Sequence, residues 1–386
     1  MTVGHKIEAG PRDRLFLCFD AVQDRLPEPL LPRSPAMKSV VATSASDDAA
    51  PRVHPRTALF GADETAPALP VCDHYAGVEV RMRKSLEMQG QLGPVFDVTL
   101  DAEDGAPVGG ELDHIALINE LINSPQNLHG RVGARLQAVD HPAFEAMADL
   151  LVQGAGQRVA YIMLPKPRGL ADLERGVAAI DDAARRHGIT RAIPVHALVE
   201  THGALREVQA LAAHPRIESL SFGLMDFVSE HRGAIPQSGM SVKGQFEHPL
   251  VVRAKLEIAA ACHGWGKTPS HCVVTEFKHR AALEDAATKA CRQLGYTRMW
   301  SIHPDQILTI VEAFAPTVAE VDHAIEILLA AQVAQWAPIR HRHAGTDTLH
   351  DRASYRYFWH VLERAHRTSV SGGDQLPAEI RKAFFS

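Results

Sequence analysis

The sequence predicts an α/β protein in which a (β/α)8 TIM barrel is followed by a C-terminal helical extension. Short runs rich in β-branched and aromatic residues alternate with stretches whose apolar residues recur at helical spacing, over roughly 250 residues, the usual size of such a barrel. Strands that alternate with helices form parallel sheets. The chain has no GxGxxG turn, which favours a closed barrel over an open nucleotide-binding sheet.

The β-rich runs give eight predicted strands, at residues 56–62, 95–101, 132–137, 158–165, 192–200, 217–226, 271–277 and 298–304. Between the fourth and fifth, Leu170, Leu173, Val177 and Ile180 lie at helical spacing, and Gly188 suits the end of that helix. Each crossover between parallel strands is expected to be right-handed.

Three segments divide the chain. Residues 1–52 mix Pro, Ser, Ala, Asp and Arg without periodicity, so we expect a disordered leader there. Residues 53–314 form the predicted barrel, and residues 315–386 form the helical extension. Because amphipathic helices outside a barrel must cover their apolar faces, we expect the extension to contact a neighbouring subunit.

Composition excludes several classes of protein. The net charge is -6 and the basic residues are scattered among acidic ones, which argues against nucleic acid as a partner. No apolar run has the length of about 20 residues that a membrane helix needs, so we expect a soluble protein with no membrane partner. The 5 cysteines include no CxxC pair, which favours a reducing compartment, the cytoplasm.

Ionisable residues lie at the ends of most of the predicted strands. Barrel enzymes build their active sites from the C-terminal ends of the strands, so these side chains should meet at one mouth. They are Asp101, Glu103, Asp104, Arg135, Lys166, Glu200, Asp226 and His303.

Glu200 and Asp226 end consecutive predicted strands, so their carboxylates should lie close together. Two such anions repel each other unless a cation lies between them. Oxygen ligands with no nearby cysteine or HxxxH spacing favour Mg²⁺, for which Mn²⁺ could substitute. The alternative is that each carboxylate caps the helix that follows it.

Arg135 should point toward the same mouth, where its planar guanidinium would suit a substrate carboxylate or a developing oxyanion. Arg131 is the competing candidate. The alternative for Arg135 is a structural ion pair with Asp101 or Glu103.

Six segments in register resemble the citrate lyase β-subunit-like branch of the HpcH/HpaI aldolase family, over roughly residues 56–366. They are DVTLDAEDGAPVG, ARLQAVDHP, YIMLPKP, LVETHGAL, SFGLMDF and LGYTRMWSIHPDQI. Each segment alone is weak, but six in order with the spacing of a barrel are a specific signal. The resemblance implies a barrel of the phosphoenolpyruvate/pyruvate superfamily type.

The resemblance also implies roles for residues at the mouth. Glu200 and Asp226 would bind Mg²⁺, and Arg135 would bind the keto or carboxylate end of the substrate. We place Lys166 with Arg135 among the substrate-binding residues.

Further residues are implied around this centre. Glu103 and Asp104 would hold metal-bound waters, and we count Asp104 among the catalytic residues with Arg135. Asp351, within TLHDRASYRYFWHVLERA, matches a catalytic aspartate that an adjacent subunit contributes in the CoA-ester lyases of the family. A homo-oligomer, a trimer or hexamer, is therefore implied.

The predicted reaction is Mg²⁺-dependent cleavage or formation of a β-hydroxyacyl-CoA of the malyl-CoA or citramalyl-CoA type, from a 2-oxo acid and an acyl-CoA thioester. Asp351 is the candidate base. Three alternatives remain: a CoA-independent class II aldolase acting on hydroxy-oxo acids, a malyl-CoA thioesterase, and a citrate lyase β-like subunit that depends on an acyl carrier.

Overall fold

A computed structural model describes residues 53–61, 69–343, 345–371 and 373–385, so the predicted leader at residues 1–52 lies outside the described residues. Eight parallel strands close into a barrel in sequential order, and the first strand pairs with the last, which confirms the predicted fold. The strands are β1 Cys72–Ala76, β2 Phe96–Asp101, β3 Val132–Arg135, β4 Ile162–Leu164, β5 Val195–Val199, β6 Ile217–Phe222, β7 Thr268–His271 and β8 Arg298–Ser301.

Helices surround the barrel and cover its strands with apolar faces, as in α5, where Leu173, Ile180 and Ala183 are buried. Two short 3-10 turns, Gln237–Met240 and Gly244–Phe246, follow the helix after β6. The helices up to the end of the barrel are α1 Pro55–Phe60, α2 Glu79–Leu92, α3 Glu111–Asn123, α4 Phe144–Ala155, α5 Leu170–Arg186, α6 His202–Arg206, α7 Val208–Ala213, α8 Leu224–Glu230, α9 Pro249–Gly264, α10 Arg280–Gln293 and α11 Pro304–Phe314.

The first predicted strand was wrong. Its residues belong to helix α1, which begins at Pro55. The fixed φ of proline suits the first turn of a helix. One backbone N–H of this turn donates to the His54 ring, which caps the helix. The first barrel strand is Cys72–Ala76, a run that carries Asp73 and His74 and therefore lacks an apolar pattern. Both side chains are buried inside the structure.

Two other predicted strands were displaced. Strand β7 covers the polar run Thr268–His271, whereas the apolar residues that follow it suggested 271–277. Strand β6 stops at Phe222, and the residues that would have continued it form α8. In β7 as in β1, strand residues that are polar are buried by the barrel, so hydrophobicity alone misplaces them.

A buried ionic network explains why β1 is polar. Arg298, fully buried in β8, lies 3.0 Å from Asp73 and 2.6 Å from Asp97, and Arg131 binds Asp97 at 2.7 Å. Thr99 donates to Asp73 over 2.7 Å. Burial disfavours the charge on Asp97, but the two guanidiniums outweigh it and lower the pKa of that carboxyl. The polar residues of β1 and β2 are thus structural.

The C-terminal segment forms a second hydrophobic cluster with α1, centred on Leu59, Leu328, Trp359, Leu362 and Phe384. We expected only helices in this extension, but it also contains a β-hairpin. The elements are α12 Val318–Val333, β9 Ile339–His343, β10 Thr346–His350, α13 Arg352–Arg367 and α14 Ala378–Phe385. None of the helices in the described ranges has the length and apolar character needed to cross a bilayer. The division of the chain at residue 314 stays a prediction.

Candidate active site

The C-terminal ends of β2 to β6 bring most of the predicted site residues together at one mouth of the barrel. Asp101 and Arg135 end β2 and β3, and they are register partners. Lys166, Glu200 and Asp226 follow β4, β5 and β6. We call this group the mouth cluster, with Glu103 and Asp104 from the loop after β2 as its remaining members.

Arg135 forms the structural ion pair that the sequence offered as an alternative. Its Nε and Nη2 donate to the two carboxylate oxygens of Asp101 at 2.7 and 2.6 Å, and Nη1 lies 2.9 Å from Glu103. The residue is only 8% exposed, and its guanidinium lies 5.3 Å from the centre of the Tyr75 ring. Burial opposes the charge, but Asp101 and Glu103 outweigh it and raise the pKa of Arg135. It stays a cation.

Asp101 was among the residues expected at the mouth, but we gave it no role in binding metal or substrate. It anchors the loop that carries Glu103 and Asp104. Besides Arg135, its carboxylate accepts the backbone N–H of Glu103 at 3.0 Å and of Gly105 at 2.9 Å. The signal in the sequence was present, since Asp101 ends the second predicted strand. The structure makes it the register partner of Arg135 on the next strand.

Lys166 joins the acidic groups of the mouth cluster. Its Nζ donates to Glu103 at 2.5 Å and to Asp104 at 2.8 Å, and it lies 3.8 Å from Asp226. Burial opposes its charge, but these carboxylates raise the pKa of Lys166. The backbone of Lys166 has φ of 50°, a left-handed conformation that is costly for a non-glycine residue and is enriched at functional sites.

That backbone conformation accompanies a contact with Glu200, whose Oε1 accepts the Lys166 N–H at 2.7 Å. Glu200 is 2% exposed. Burial, together with the charge of Asp226, raises the pKa of Glu200 to about 8. The described contacts give Glu200 no cationic side chain as a direct partner. Its ionised form is stabilised by the nearby charge of Arg135 and by that one amide, and burial outweighs both.

Asp226 lies in the first turn of α8 rather than at a strand end, and its side chain is 43% exposed. Neither carboxylate caps the helix that follows it. Thr201 caps α6, accepting the Ala204 N–H at 3.0 Å, and α8 begins after Gly223 without a side-chain cap. The helix-capping alternative is therefore wrong for both residues.

Two other candidates cap helices. His303 caps α11, accepting the backbone N–H of Asp305 at 3.2 Å, which is a structural role. Asp351 caps α13 in the C-terminal segment, accepting the N–H of Ala353 at 3.0 Å. Its described contacts are those of a helix cap.

The mouth cluster fits a hard divalent cation. Glu200 and Asp226 offer only carboxylate oxygens, and the positive charge beside Asp226 is the ammonium group of Lys166. Burial and the neighbouring charge of Asp226 hold the Glu200 carboxyl neutral, and a cation bound to both carboxylates would favour its ionised form. Glu200 and Asp226 are accordingly the residues that could hold Mg²⁺.

Gly223 has no side chain, and the Glu200 carboxylate occupies the space that a side chain would fill. This contact gives a first prediction. A Cβ at this position would lie 2.1 Å from Glu200 Oε2, while the backbone φ of -90° is open to alanine. We expect Gly223→Ala to displace the carboxylate and weaken Mg²⁺ binding by about 10- to 100-fold, the range seen when groups that orient metal ligands are lost. Isothermal titration calorimetry measures the affinity.

Gly264→Ala is the matched control for this substitution, because a Cβ there would meet nothing within 4 Å. Its Mg²⁺ affinity should equal that of the wild type. An unchanged affinity in Gly223→Ala would contradict the assignment of Glu200 as a ligand.

Comparisons with known proteins bear on the family and the fold. A scan against protein-family models finds no match. The chain is 27% identical over 252 residues to the L-malyl-CoA/β-methylmalyl-CoA lyase of Cereibacter sphaeroides, a match that covers 62% of this chain and 77% of that protein. A citrate lyase from Burkholderia xenovorans, known from a crystal structure, is 52% identical to this chain, and the two structures have a TM-score of 0.73. The match covers 86% of this chain and 100% of that one.

A third similarity concerns the fold alone. The protein CitE of Mycobacterium tuberculosis, solved in complex with magnesium, acetoacetate and coenzyme A, is 19% identical. The match covers 77% of this chain and 98% of that one, with a TM-score of 0.58. The arrangement of strands and helices is thus shared well beyond recognisable sequence identity.

Proposed function

Since the chain belongs to the citrate lyase β-subunit-like branch of the HpcH/HpaI aldolase family, a family of carbon–carbon lyases, we propose that it cleaves or forms a β-hydroxyacyl-CoA in a Mg²⁺-dependent reaction. The products of cleavage are a 2-oxo acid and an acyl-CoA. The observation that carries the proposal is the buried Glu200 carboxyl beside Asp226 at the barrel mouth, with Arg135 and Lys166 close by.

Glu200 and Asp226 would hold the metal. Bound there, Mg²⁺ would supply Lewis acidity and a fixed positive charge at the oxygens of a 2-oxo acid. The names of the relatives support a CoA ester as the second substrate, since the Cereibacter protein is a malyl-CoA/β-methylmalyl-CoA lyase.

The two cations of the mouth cluster would orient the 2-oxo acid. Arg135 keeps its orientation through the paired contacts of Nε and Nη2 with Asp101, while Nη1, which faces Glu103, is the donor that can turn to a substrate oxygen. Such a fixed donor stabilises charge that develops on the keto oxygen. Lys166, 30% exposed, would attract the substrate carboxylate.

In the direction of condensation, a base removes a proton from the carbon next to the thioester. The electron pair left on that carbon attacks the keto carbon, a C–C bond forms, and the keto oxygen takes the charge and then a proton. Cleavage is the reverse. We assign the base to Asp351 of a second copy of the chain, and we assign to Asp104, exposed at the mouth, the task of holding water beside the metal site.

The experiment that tests the proposal follows C–C bond formation and cleavage by NMR. Glyoxylate or pyruvate is combined with acetyl-CoA or propionyl-CoA, in EDTA and after Mg²⁺ is restored, for the wild type and for Asp226→Ala. Asp285→Ala is the control, because Asp285 is an exposed partner of Lys289 on α10. We expect product only with Mg²⁺, in the wild type and the control.

Other outcomes would favour the alternatives. Free CoA without acyl-CoA would indicate a thioesterase, and turnover of hydroxy-oxo acids without CoA would indicate an aldolase. Binding of Mg²⁺ and the oxo acid without turnover of any CoA ester would point to a subunit that depends on an acyl carrier. Metal-independent turnover would contradict the proposed function.

Asp351 gives a second prediction, which tests whether it acts from a neighbouring copy. Asp351→Asn and Asp226→Ala should each be inactive alone. Mixed under conditions of subunit exchange, they should recover up to about a quarter of wild-type activity, because random assembly across a head-to-tail interface places an intact Asp226 beside an intact Asp351 in that fraction of sites. Steady-state rates of the mixture measure it, and no recovery after verified exchange would contradict action in trans.

A further inference from the structure

Three histidines from different elements meet in the C-terminal segment, away from the strands that form the barrel mouth. His323 lies on α12, His341 on β9 and His350 at the end of β10. Each offers one ring nitrogen, and the three nitrogens all lie within 4.8 Å of one another. We call them the histidine cluster.

The ring nitrogens of this cluster include buried atoms without partners. Within the described residues, His323 Nε2, His341 Nδ1 and His350 Nδ1 are buried and make no hydrogen bond. His350 is only 6% exposed. A buried polar atom without a partner is costly, so three in one place call for a ligand or some other explanation. Packing against Phe358, whose ring lies 5.1 Å from His323, accounts for the apolar edges of the rings but not for these nitrogens.

The rings are also suited to ligation by their protonation state. Burial, together with the neighbouring histidines, lowers the pKa values of His323 and His350. Neutral imidazole is the form that binds metals. An acidic group lies at the edge of the cluster, where Glu326 is 3.8 Å from His341 and 3.6 Å from His343. It would offset part of the charge of a bound cation.

The chemistry of the donors selects the class of metal. Imidazole nitrogens suit Zn²⁺, Co²⁺, Ni²⁺ and Cu²⁺, whereas Mg²⁺ prefers oxygen. Zinc sites with three histidines use Zn–N distances of about 2.0 Å and keep a fourth position for water or a carboxylate. The observed spacing of the ring nitrogens requires only a modest approach of the three side chains.

We propose that His323, His341 and His350 form a second metal site, which binds a transition-metal ion of the zinc class. The site is chemically and spatially separate from the proposed Mg²⁺ site, since it takes nitrogen donors from α12 and the β9–β10 hairpin. A bound ion would attach the hairpin to α12, and the hairpin leads directly from His350 into Asp351. The metal would thereby hold in place the start of α13.

Cobalt binding tests the proposal, because Co²⁺ with imidazole ligands in a four-coordinate site absorbs visible light far more strongly than Co²⁺ in an octahedral oxygen site. The full-length chain is stripped of metal and titrated with Co²⁺ in an excess of Mg²⁺, which occupies oxygen sites. We expect about one Co²⁺ per chain with intense visible absorption, displaced by Zn²⁺. Asp226→Ala should bind it equally, so the result does not depend on the proposed lyase activity.

His341→Ala and His323→Gln should weaken Co²⁺ binding by about 100-fold or more, since each removes one of three ligands. Neither ring is fully buried, and thermal unfolding of the metal-free variants verifies that they fold. Zn²⁺ should raise the unfolding temperature of the wild type and not that of the variants. His360→Ala is the control, because His360 is an exposed partner of Glu363 on α13.

Three results would overturn the proposal. They are the absence of intense visible absorption, Co²⁺ binding only at millimolar concentration, and unchanged affinity in folded His341→Ala.

Discussion

Arg135→Lys is expected to lower kcat/KM for C–C cleavage by about 10²- to 10³-fold, the range seen when a fixed donor to a developing oxyanion is removed. A lysine has a single nitrogen at its end, so it cannot keep both contacts with Asp101 and also reach Glu103, as the guanidinium does. The loss should appear mainly in kcat, because the interaction strengthens as charge builds on the keto oxygen. Steady-state kinetics with saturating Mg²⁺ separate kcat from KM.

The chain contains a matched control for this substitution. Arg131 binds Asp97 in the same two-point manner, with Nε and Nη2 at 2.7 and 2.9 Å, at the start of β3 rather than at its end. Arg131→Lys should therefore lose a comparable amount of stability without the loss in kcat. Equal losses of activity in the two variants, in proportion to their loss of stability, would mean that Arg135 has only a structural role.

The barrel could be predicted from the sequence because most strands are apolar runs of the right length between helical patterns. The first strand could not, because Asp73 and His74 are buried in it. Both have partners in β8, more than 200 residues later: Arg298 binds Asp73, and the Ser301 hydroxyl lies 3.0 Å from the His74 ring. A pairing over such a separation leaves no local signal in the sequence.

The mouth cluster was predictable for a related reason. Barrel topology brings the strand ends together, so the polar residues that follow consecutive strands must be neighbours whatever their separation along the chain. The pairings within the cluster were not predictable in the same way. That Lys166 would adopt a left-handed backbone and use its N–H on Glu200 depends on the geometry of the loop after β4.

The histidine cluster was predictable only in part. The alternation of His341 and His343 places two imidazoles on one strand face, which is visible in the sequence. The prediction of a helical extension missed the cluster, because the hairpin and the return of His350 toward His323 are set by tertiary packing.

Glu200→Gln is expected to have opposite effects on activity and on the stability of the metal-free protein. The glutamine cannot carry the negative charge that a metal ligand needs, so Mg²⁺-dependent turnover should fall by at least about 10³-fold, as expected when a metal loses one of its two carboxylates. Its carbonyl oxygen can still accept the Lys166 N–H, and the fold should be kept.

The stability effect follows from the raised pKa. The folded protein holds the Glu200 proton up to about pH 8, whereas the ordinary value is 4.5. Between these two pH values the unfolded chain binds fewer protons than the folded one, so wild-type stability falls as pH rises, by about 5 kcal/mol in full. Glutamine does not titrate, so the stability of the variant should not fall over this pH range.

Thermal unfolding in EDTA should therefore give similar midpoints for wild type and Glu200→Gln near pH 5, and a higher midpoint for the variant at pH 8. Adding Mg²⁺ at pH 8 should stabilise only the wild type, because ligand binding to the folded state adds stability in proportion to affinity. Glu218→Gln, at the start of β6, should follow the wild type in both tests. A pH-independent difference between wild type and Glu200→Gln would show that the carboxyl is ionised throughout, and that its environment already compensates the charge without a metal.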